Sequence, residues 1–237
     1  MQAVYSRIGL ALALSVLVPM LAGCRHKHKV AYVPPPTLNA SRQPTVKKYD
    51  HYRGKVLSTE VGLASWYGPP YNKRRGANGE IYNQNAMTAA HRTLPMNTLV
   101  RVINERTGQS AVVRITDRGP FVKGRIIDLS LAAAKATGVY RAGVARVKLE
   151  ILSRPGENTP GRWCVQVGAF EHEKNAVKLK NQMMRRYRKA KVIEFPGPTG
   201  HWVRINPAYP DKRTAEEVAE SIRPSEKGAE AYVVRLN

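Results

Sequence analysis

Between Thr98 and Leu152 the chain repeats short segments in which apolar and polar residues alternate with a period of two, and this pattern restricts what the region can become. "TLVRVIN" alternates, "ERTGQ" supplies a turn, and "SAVVRIT" alternates again, the pattern of a β-hairpin. "RIIDL" is a short strand and "VARVKLEIL" a longer one. Between them "SLAAAKATG" predicts a short helix, with Ser130 as its N-cap and Gly138 just past its end. Strands of this length at this spacing predict a mainly β domain over 60–154, closed into a small barrel.

"PGENTP" (155–160) is a turn-rich linker, and the pattern changes after it. "RWCVQVGAF" reads as a strand. "EHEKNAVKLKNQMMRRYRK" reads as an amphipathic helix with Ala176, Leu179, Met183 and Tyr187 along one face. Strands "AKVIEF" and "HWVRIN" follow, joined by the turn "PGPTG". Then come the helix "TAEEVAESIR", with a capping box from Thr214 to Glu217, and the strand "EAYVVRLN". The order βαββαβ over 161–237 is that of ferredoxin-like α+β folds. In the strands, Gln166 shares a face with Cys164, and Trp202 with Arg204, while Val165, Val167, Val203 and Ile205 point the other way. The valine face is expected to pack on the helices and the other to form an open sheet surface.

The first 23 residues have a short start with Arg7, an apolar run from Ile8 to Leu21 and a small-residue end, the layout of a secretory signal rather than a membrane span. The "LAGC" that closes it resembles the bacterial lipobox, which implies a lipidated Cys24 as the new first residue. Residues 24–59 are basic and proline-bearing without apolar periodicity, a tether. His26 and His28 alternate there with lysines whose charge opposes a metal ion, and no metal or cofactor is expected. With Cys24 lipidated, Cys164 has no disulfide partner, so the fold must stand on its cores; 43% hydrophobic residues suffice for that. The net charge of +22 is spread over all segments. A nucleic-acid binder concentrates its charge on one element, and the secretion signal argues against that partner too. A diffuse positive charge suits an extended anionic partner such as a cell wall or an anionic lipid surface.

Within the first domain the carboxyl groups are few, and three sit at suggestive places. Glu80 lies in "ANGE", Asp117 ends the strand of "ITDRGPF", and Asp128 lies in "RIIDLS". His91 follows in "MTAAHRTLP", and Trp66 and Tyr67 sit in "ASWYG". Cleavage of a sugar acetal needs a proton donor at the leaving oxygen and a base or carboxylate near the anomeric carbon. A carboxyl group that keeps its proton near neutral pH needs an apolar setting or a like charge beside it. Asp117 and Asp128 each follow a strand and could point into one groove, and the two aromatics offer flat faces to sugar rings. Each signal also has a structural explanation: a turn former, a helix-start residue, a loop acid, a core histidine, core aromatics.

Taken together, "ASWYG", "ANGE", "MTAAHRTLP", "ITDRGPF" and "RIIDLS" resemble the rare lipoprotein A family of bacterial cell-wall proteins over residues 60–154. The resemblance implies a double-psi β-barrel and lytic transglycosylase activity on peptidoglycan. In that reaction the C6 hydroxyl of N-acetylmuramic acid attacks its own anomeric carbon and leaves a 1,6-anhydro end. It assigns activity to Glu80, Asp117, Asp128 and His91, with Asp128 or Asp117 as general acid and Glu80 assisting. "WCVQVGAF", "HWVRINP" and "TAEEVAESI" resemble a SPOR domain, which implies binding of peptide-stripped septal glycan through Gln166, Trp202 and Arg204. The chain departs from the family at Gly76, where "TANGE" is usual, and at Asn83, where an aspartate is usual. The expected protein is a lipid-anchored enzyme of the septal cell envelope, on the periplasmic face of the outer membrane in a two-membrane cell, with septal division proteins as possible partners. The alternative is an inactive, expansin-like wall binder.

Overall fold

Residues 55–68, 71–156, 159–197 and 199–237 are described by a computed structural model. The signal segment, Cys24, His26, His28 and most of the tether lie outside the described residues. Six strands close a barrel: β1 (Ser58–Trp66), β2 (Thr88–His91), β3 (Leu99–Asn104), β4 (Ser110–Asp117), β5 (Arg125–Leu129) and β6 (Ala145–Ser153). Their order around the barrel is β1-β5-β2-β4-β3-β6. The β1/β5 and β2/β4 pairs are parallel and the other four antiparallel, the double-psi arrangement. The period-two pattern explains the core. In β3, Val100 and Val102 are buried while Arg101 turns outward to Glu150 at 2.8 Å. Val113, Ile115, Ile127, Leu129, Val147 and Leu149 complete the interior. Each fully buried aliphatic side chain contributes about 1.5–3 kcal/mol.

Ser130 caps α1 (Leu131–Ala136) as its sequence predicts, its Oγ accepting from Ala133 N at 3.1 Å. Gly138 follows in the left-handed conformation (φ 71°) and leads into α2 (Val139–Ala142).

The second domain runs β7 (Trp163–Phe170), α3 (Glu173–Arg186), β8 (Lys191–Gly197), β9 (Gly200–Asn206), α4 (Lys212–Glu220) and β10 (Glu230–Arg235). Its antiparallel sheet has the order β10-β7-β9-β8, that of a ferredoxin-like fold. Val165, Val167, Val203 and Ile205 pack on Ala176, Leu179 and Met183 of α3 and Ala215 and Val218 of α4. One helix start differs from expectation. α4 begins at Lys212, and Asp211, not Thr214, is its cap, accepting from Thr214 N at 2.9 Å and Thr214 Oγ1 at 2.7 Å. A carboxylate satisfies the same backbone donor as a hydroxyl and also favours the positive end of the helix dipole.

The other sheet face is not open. Besides Gln166 and Arg204 it carries Cys164, Trp202, Tyr232 and Val234, an apolar cluster that needs cover. The barrel supplies it. Phe121, in the loop after β4, packs on Trp202 and Tyr232 with centroids 5.4 and 5.7 Å apart. Trp202 is left 4% exposed and Gln166 5%. Burial pushes the Cys164 thiol up to about 11, so it is a packed, unreactive group. Around this contact, Arg235 N donates to Arg92 O at 3.0 Å, and Lys123 pairs with Glu230 at 3.3 Å. Arg118 threads between the domains. Its guanidinium donates to the carbonyls of His91 and Leu94 on the barrel side and of Arg235 and Asn237 on the other. Burial and the nearby Arg235 pull the Arg118 pKa down to about 10, which still leaves a cation at neutral pH.

Candidate active site

Strand register brings two of the predicted acids together. Ala90 of β2 is opposite Asp117 of β4 on one side and Asp128 of β5 on the other. Asp117 and Asp128 therefore flank one small residue, their Cα atoms about two strand spacings, or roughly 10 Å, apart. Both line a groove of about 470 Å³ that runs between the barrel and the second domain.

The two carboxyls have different settings. Asp128 lies opposite Ser65 in the parallel β1/β5 pair, and Ser65 Oγ donates to its Oδ1 at 2.5 Å. Arg125 Nη2 reaches its Oδ2 at 3.4 Å. Burial is the strongest influence, and it raises the Asp128 pKa above the ordinary carboxylate value despite Ser65 and Arg125. Asp117 is the richer acceptor. It takes hydrogen bonds from Tyr67 Oη at 3.1 Å, Ala77 N at 2.9 Å and Arg118 N at 2.8 Å. Tyr67 is packed between Tyr71 and Tyr82. Burial, then the charges of Asp117 and Asp128, hold its phenol well above its usual pKa, so it is a fixed neutral donor. One groove thus offers a mostly buried carboxyl whose pKa burial raises and a second carboxyl arranged as an acceptor.

Among the other predicted residues, Glu80, His91 and Trp66 lie outside this groove. Glu80 does not line the groove that holds both aspartates, but it shares an adjoining cavity with Asp117 and Tyr67. Arg114 holds it by a fork, Nη1 to Oε1 at 3.0 Å and Nη2 to Oε2 at 2.7 Å, and Asn97 fixes the same guanidinium at 2.7 Å. That pairing keeps the Glu80 carboxyl below its ordinary pKa, the wrong direction for a proton donor. That cavity, of about 40 Å³, also has Asn78, Asn83 and Arg114 in its wall. Asn83 accepts from Asn85 N at 2.9 Å, which closes a local turn. At Gly76 a Cβ would lie 3.1 Å from the Thr116 carbonyl oxygen, so the glycine suits this tight loop.

His91 is 3% exposed and outside the groove. Its Nδ1 accepts from Thr93 N at 3.2 Å and Leu94 N at 3.1 Å, and its Nε2 faces Glu60 at 3.1 Å. An imidazole that accepts at Nδ1 and donates at Nε2 is locked in one neutral tautomer. His91→Phe is expected to cost about 1–3 kcal/mol, because two backbone donors and the Glu60 carboxylate lose their partner; urea titration measures this. Trp66 points away from Tyr67, as alternation requires, and packs on Tyr140 at 5.0 Å. Gln166, Trp202 and Arg204 do reach the groove, as its far wall. The Trp202 ring is not free to stack on a sugar there, since Phe121 covers it and a Cβ at Gly197 or Gly168 would lie within 2.7 Å of it.

Ser65 and Arg125 are groove-side partners of Asp128 that the sequence reading missed. Ser65 lies inside the quoted "ASWYG", where the two aromatics drew attention, and Arg125 opens "RIIDL". Neither carries a local signal of its role, since their partner is set by strand pairing.

The chain matches two family models, one described as lytic transglycolase over residues 59–149 and one as the SPOR domain over residues 159–235. It is 35% identical over 205 residues to the endolytic peptidoglycan transglycosylase RlpA of Campylobacter jejuni, covering 76% of this chain and 73% of that protein. It is 63% identical over 91 residues to the probable endolytic peptidoglycan transglycosylase RlpA of Synechocystis, covering 38% of this chain and 28% of the relative. With the RlpA of Helicobacter pylori strain J99 it shares 56% over 125 residues, 50% of this chain and 40% of the relative. The chain thus spans well under half of the last two relatives and nearly three quarters of the first. A barrel of this topology, the paired aspartates within it, the second domain behind it and the Campylobacter match along most of both chains place this protein in the RlpA family of endolytic peptidoglycan transglycosylases.

Proposed function

We propose that the chain is a lytic transglycosylase that cuts the β-1,4 bond between N-acetylmuramic acid and N-acetylglucosamine in peptidoglycan strands. One observation carries the reading: Asp128, buried with a raised pKa, and Asp117, held as an acceptor, share one groove across Ala90. Asp128 gives its proton to the leaving glycosidic oxygen. The C6 hydroxyl of the muramic acid attacks C1 as the C1–O bond breaks, and its proton passes to Asp117. The product is a 1,6-anhydro end, and no water is consumed. Because the nucleophile belongs to the substrate, the enzyme need only position it. Tyr67 orients Asp117, and Ser65 orients Asp128. Glu80 and His91 act through the fold, by fixing the 76–83 loop and the turn after β2.

The same reading takes peptide-denuded strands as substrate and the division septum as the place of action, supported by the second domain. The lipobox-like "LAGC" supports a lipid anchor on Cys24 in the cell envelope. The tether would then let the barrel reach the wall.

The test uses residues 25–237 incubated with amidase-treated sacculi, with soluble products resolved by mass spectrometry. Anhydro-muramyl fragments are expected, and Asp117→Asn should reduce them by about 10²-fold or more. Sacculus binding without any fragments would sink the enzymatic reading in favour of a wall-binding protein.

A further inference from the structure

The helix α3 of the second domain carries charge that its own fold does not use. Lys174, Lys178 and Arg185 fall along one line of the helix, opposite the buried Ala176, Leu179 and Met183. Arg186 lies in the last turn, and Arg188 and Lys189 follow directly. All six are exposed, and none forms an ion pair among the described residues. Arg186 has local partners, the Tyr187 ring at 5.4 Å and Ser221 O at 3.3 Å. The helix α4 is built the other way, its Lys212 paired with Glu216 at 3.1 Å and its Arg213 with Glu217 at 3.5 Å. Helix stability accounts for only part of the α3 set. Cations in the last turn suit the negative end of the helix dipole. Lys174 is at the wrong end for that, and Lys174 and Lys178, one turn apart, repel each other. Such a face is complementary to an anion from outside the fold.

Beside this face, a second groove of about 660 Å³ lies between the end of α3 and the loop that leads into α4. Arg185, Arg186, Arg188 and Lys189 line it together with Tyr209, which is 75% exposed. The acid in its wall, Glu217, is the one already paired with Arg213. Met184, next to Arg185, is 49% exposed. We infer that the outer face of α3 and the groove at its end bind the headgroups of an anionic phospholipid surface. The apolar face of α3 is packed on the sheet, so the contact is made by cations at the headgroups, with Met184 and Tyr209 reaching to the lipid boundary. Position favours lipid over an anionic polymer of the wall. The helices cover one face of the sheet and the barrel meets the other, so the outer face of α3 points away from the cleaving groove. Residues 25–54 join the proposed anchor on Cys24 to the described fold and span at most about 100 Å. The domains are thereby kept beside a membrane. The inference takes only that anchor from the proposed function. An α3 face laid on lipid turns the cleaving groove towards the wall and adds a second membrane signal to the acyl chains.

The test measures co-sedimentation of residues 25–237, which carry no acyl chain, with two kinds of vesicle. One holds equal parts of phosphatidylglycerol and phosphatidylcholine, the other phosphatidylcholine alone. Binding to the anionic vesicles only is expected, weakening as salt is raised. Lys178→Glu combined with Arg185→Glu should lower the partition by about tenfold or more. Arg106→Glu combined with Arg141→Glu makes the same change in net charge at exposed places on the barrel. That control should lower the partition by no more than about twofold, because charges held away from the lipid are screened. Both double variants should melt with the parent, since all four side chains are exposed. Were the α3 pair to unfold, Lys178→Gln with Arg185→Gln carries the test. Absence of vesicle binding, or equal losses in the two double variants, would overturn the face. So would a loss confined to binding of peptide-bearing sacculi, which would make the partner an anionic wall polymer. The chain tested has no anchor, so its vesicle binding is read independently of Cys24, whose acylation is checked by mass spectrometry of the full chain.

Discussion

Asp128→Asn is expected to lower the yield of anhydro-muramyl ends by about 10²–10⁴-fold while leaving the melting temperature at neutral pH unchanged or raised. The loss follows from removing the one groove carboxyl whose burial favours the protonated form. Asparagine is nearly isosteric and can still accept from Ser65, but it has no proton to give. The stability half of the prediction has a definite sign. The folded-state pKa of Asp128 lies above the unfolded one, so the folded chain binds the proton more tightly. Stability therefore declines as pH rises from the unfolded carboxylate value of about 3.9 towards the folded value. Wherever the folded chain carries Asp128 ionised, that charge is a burden that Asn lacks. The same logic predicts that the rate falls as pH climbs through the folded pKa, because the acid is then spent. Thermal melts and product yields across a pH series check both halves. A variant that unfolds would reduce Asp128 to a packing residue, and one that stays active would remove it as the acid.

Arg118→Ala is expected to cost about 3 kcal/mol and to split one cooperative thermal transition into two, read by scanning calorimetry. A half-buried cation that donates to carbonyls in both domains joins them more firmly than the surface pair Lys123–Glu230, whose lysine is 86% exposed. Lysine at this position should not restore the single transition, because one ammonium cannot span four acceptors set out for a planar fork. A single, unshifted transition in Arg118→Ala would show that the Phe121 seat and the contacts around it hold the domains together without Arg118.

Much of the architecture was legible because it is written in local periodicity. Alternation in "TLVRVIN" gave β3 its buried Val100 and Val102, Ser130 announced α1, and the opposed faces of Val165 and Gln166 were correctly separated. Family motifs led to Asp117 and Asp128. What remained hidden depends on partners far along the chain. Arg114 lies 34 residues from the Glu80 it pairs with, and Ser65 lies 63 from Asp128. No local pattern reports such pairings, so Glu80 read as an assisting acid without its arginine, and Ser65 drew no notice. His91 is ambiguous for a related reason, since a histidine that closes a turn has the same letter as one that moves a proton. The sheet face of the second domain was read as open because Trp202 was counted with Gln166 and Arg204 as a glycan contact rather than with Tyr232 as part of an apolar cluster. In the fold the balance is reversed by Phe121.

Phe121 also bears on how such chains can be recombined. A wall-binding module on a flexible leash can be exchanged for another without consulting the enzyme it serves. Here the Phe121 ring is seated against Trp202 and Tyr232, and Arg118 beside it is bonded to the last strand's backbone. A transplanted second domain would have to bring a matching aromatic seat, or the graft would hang loose from its barrel. The two halves are thus expected to change together, as one inherited unit.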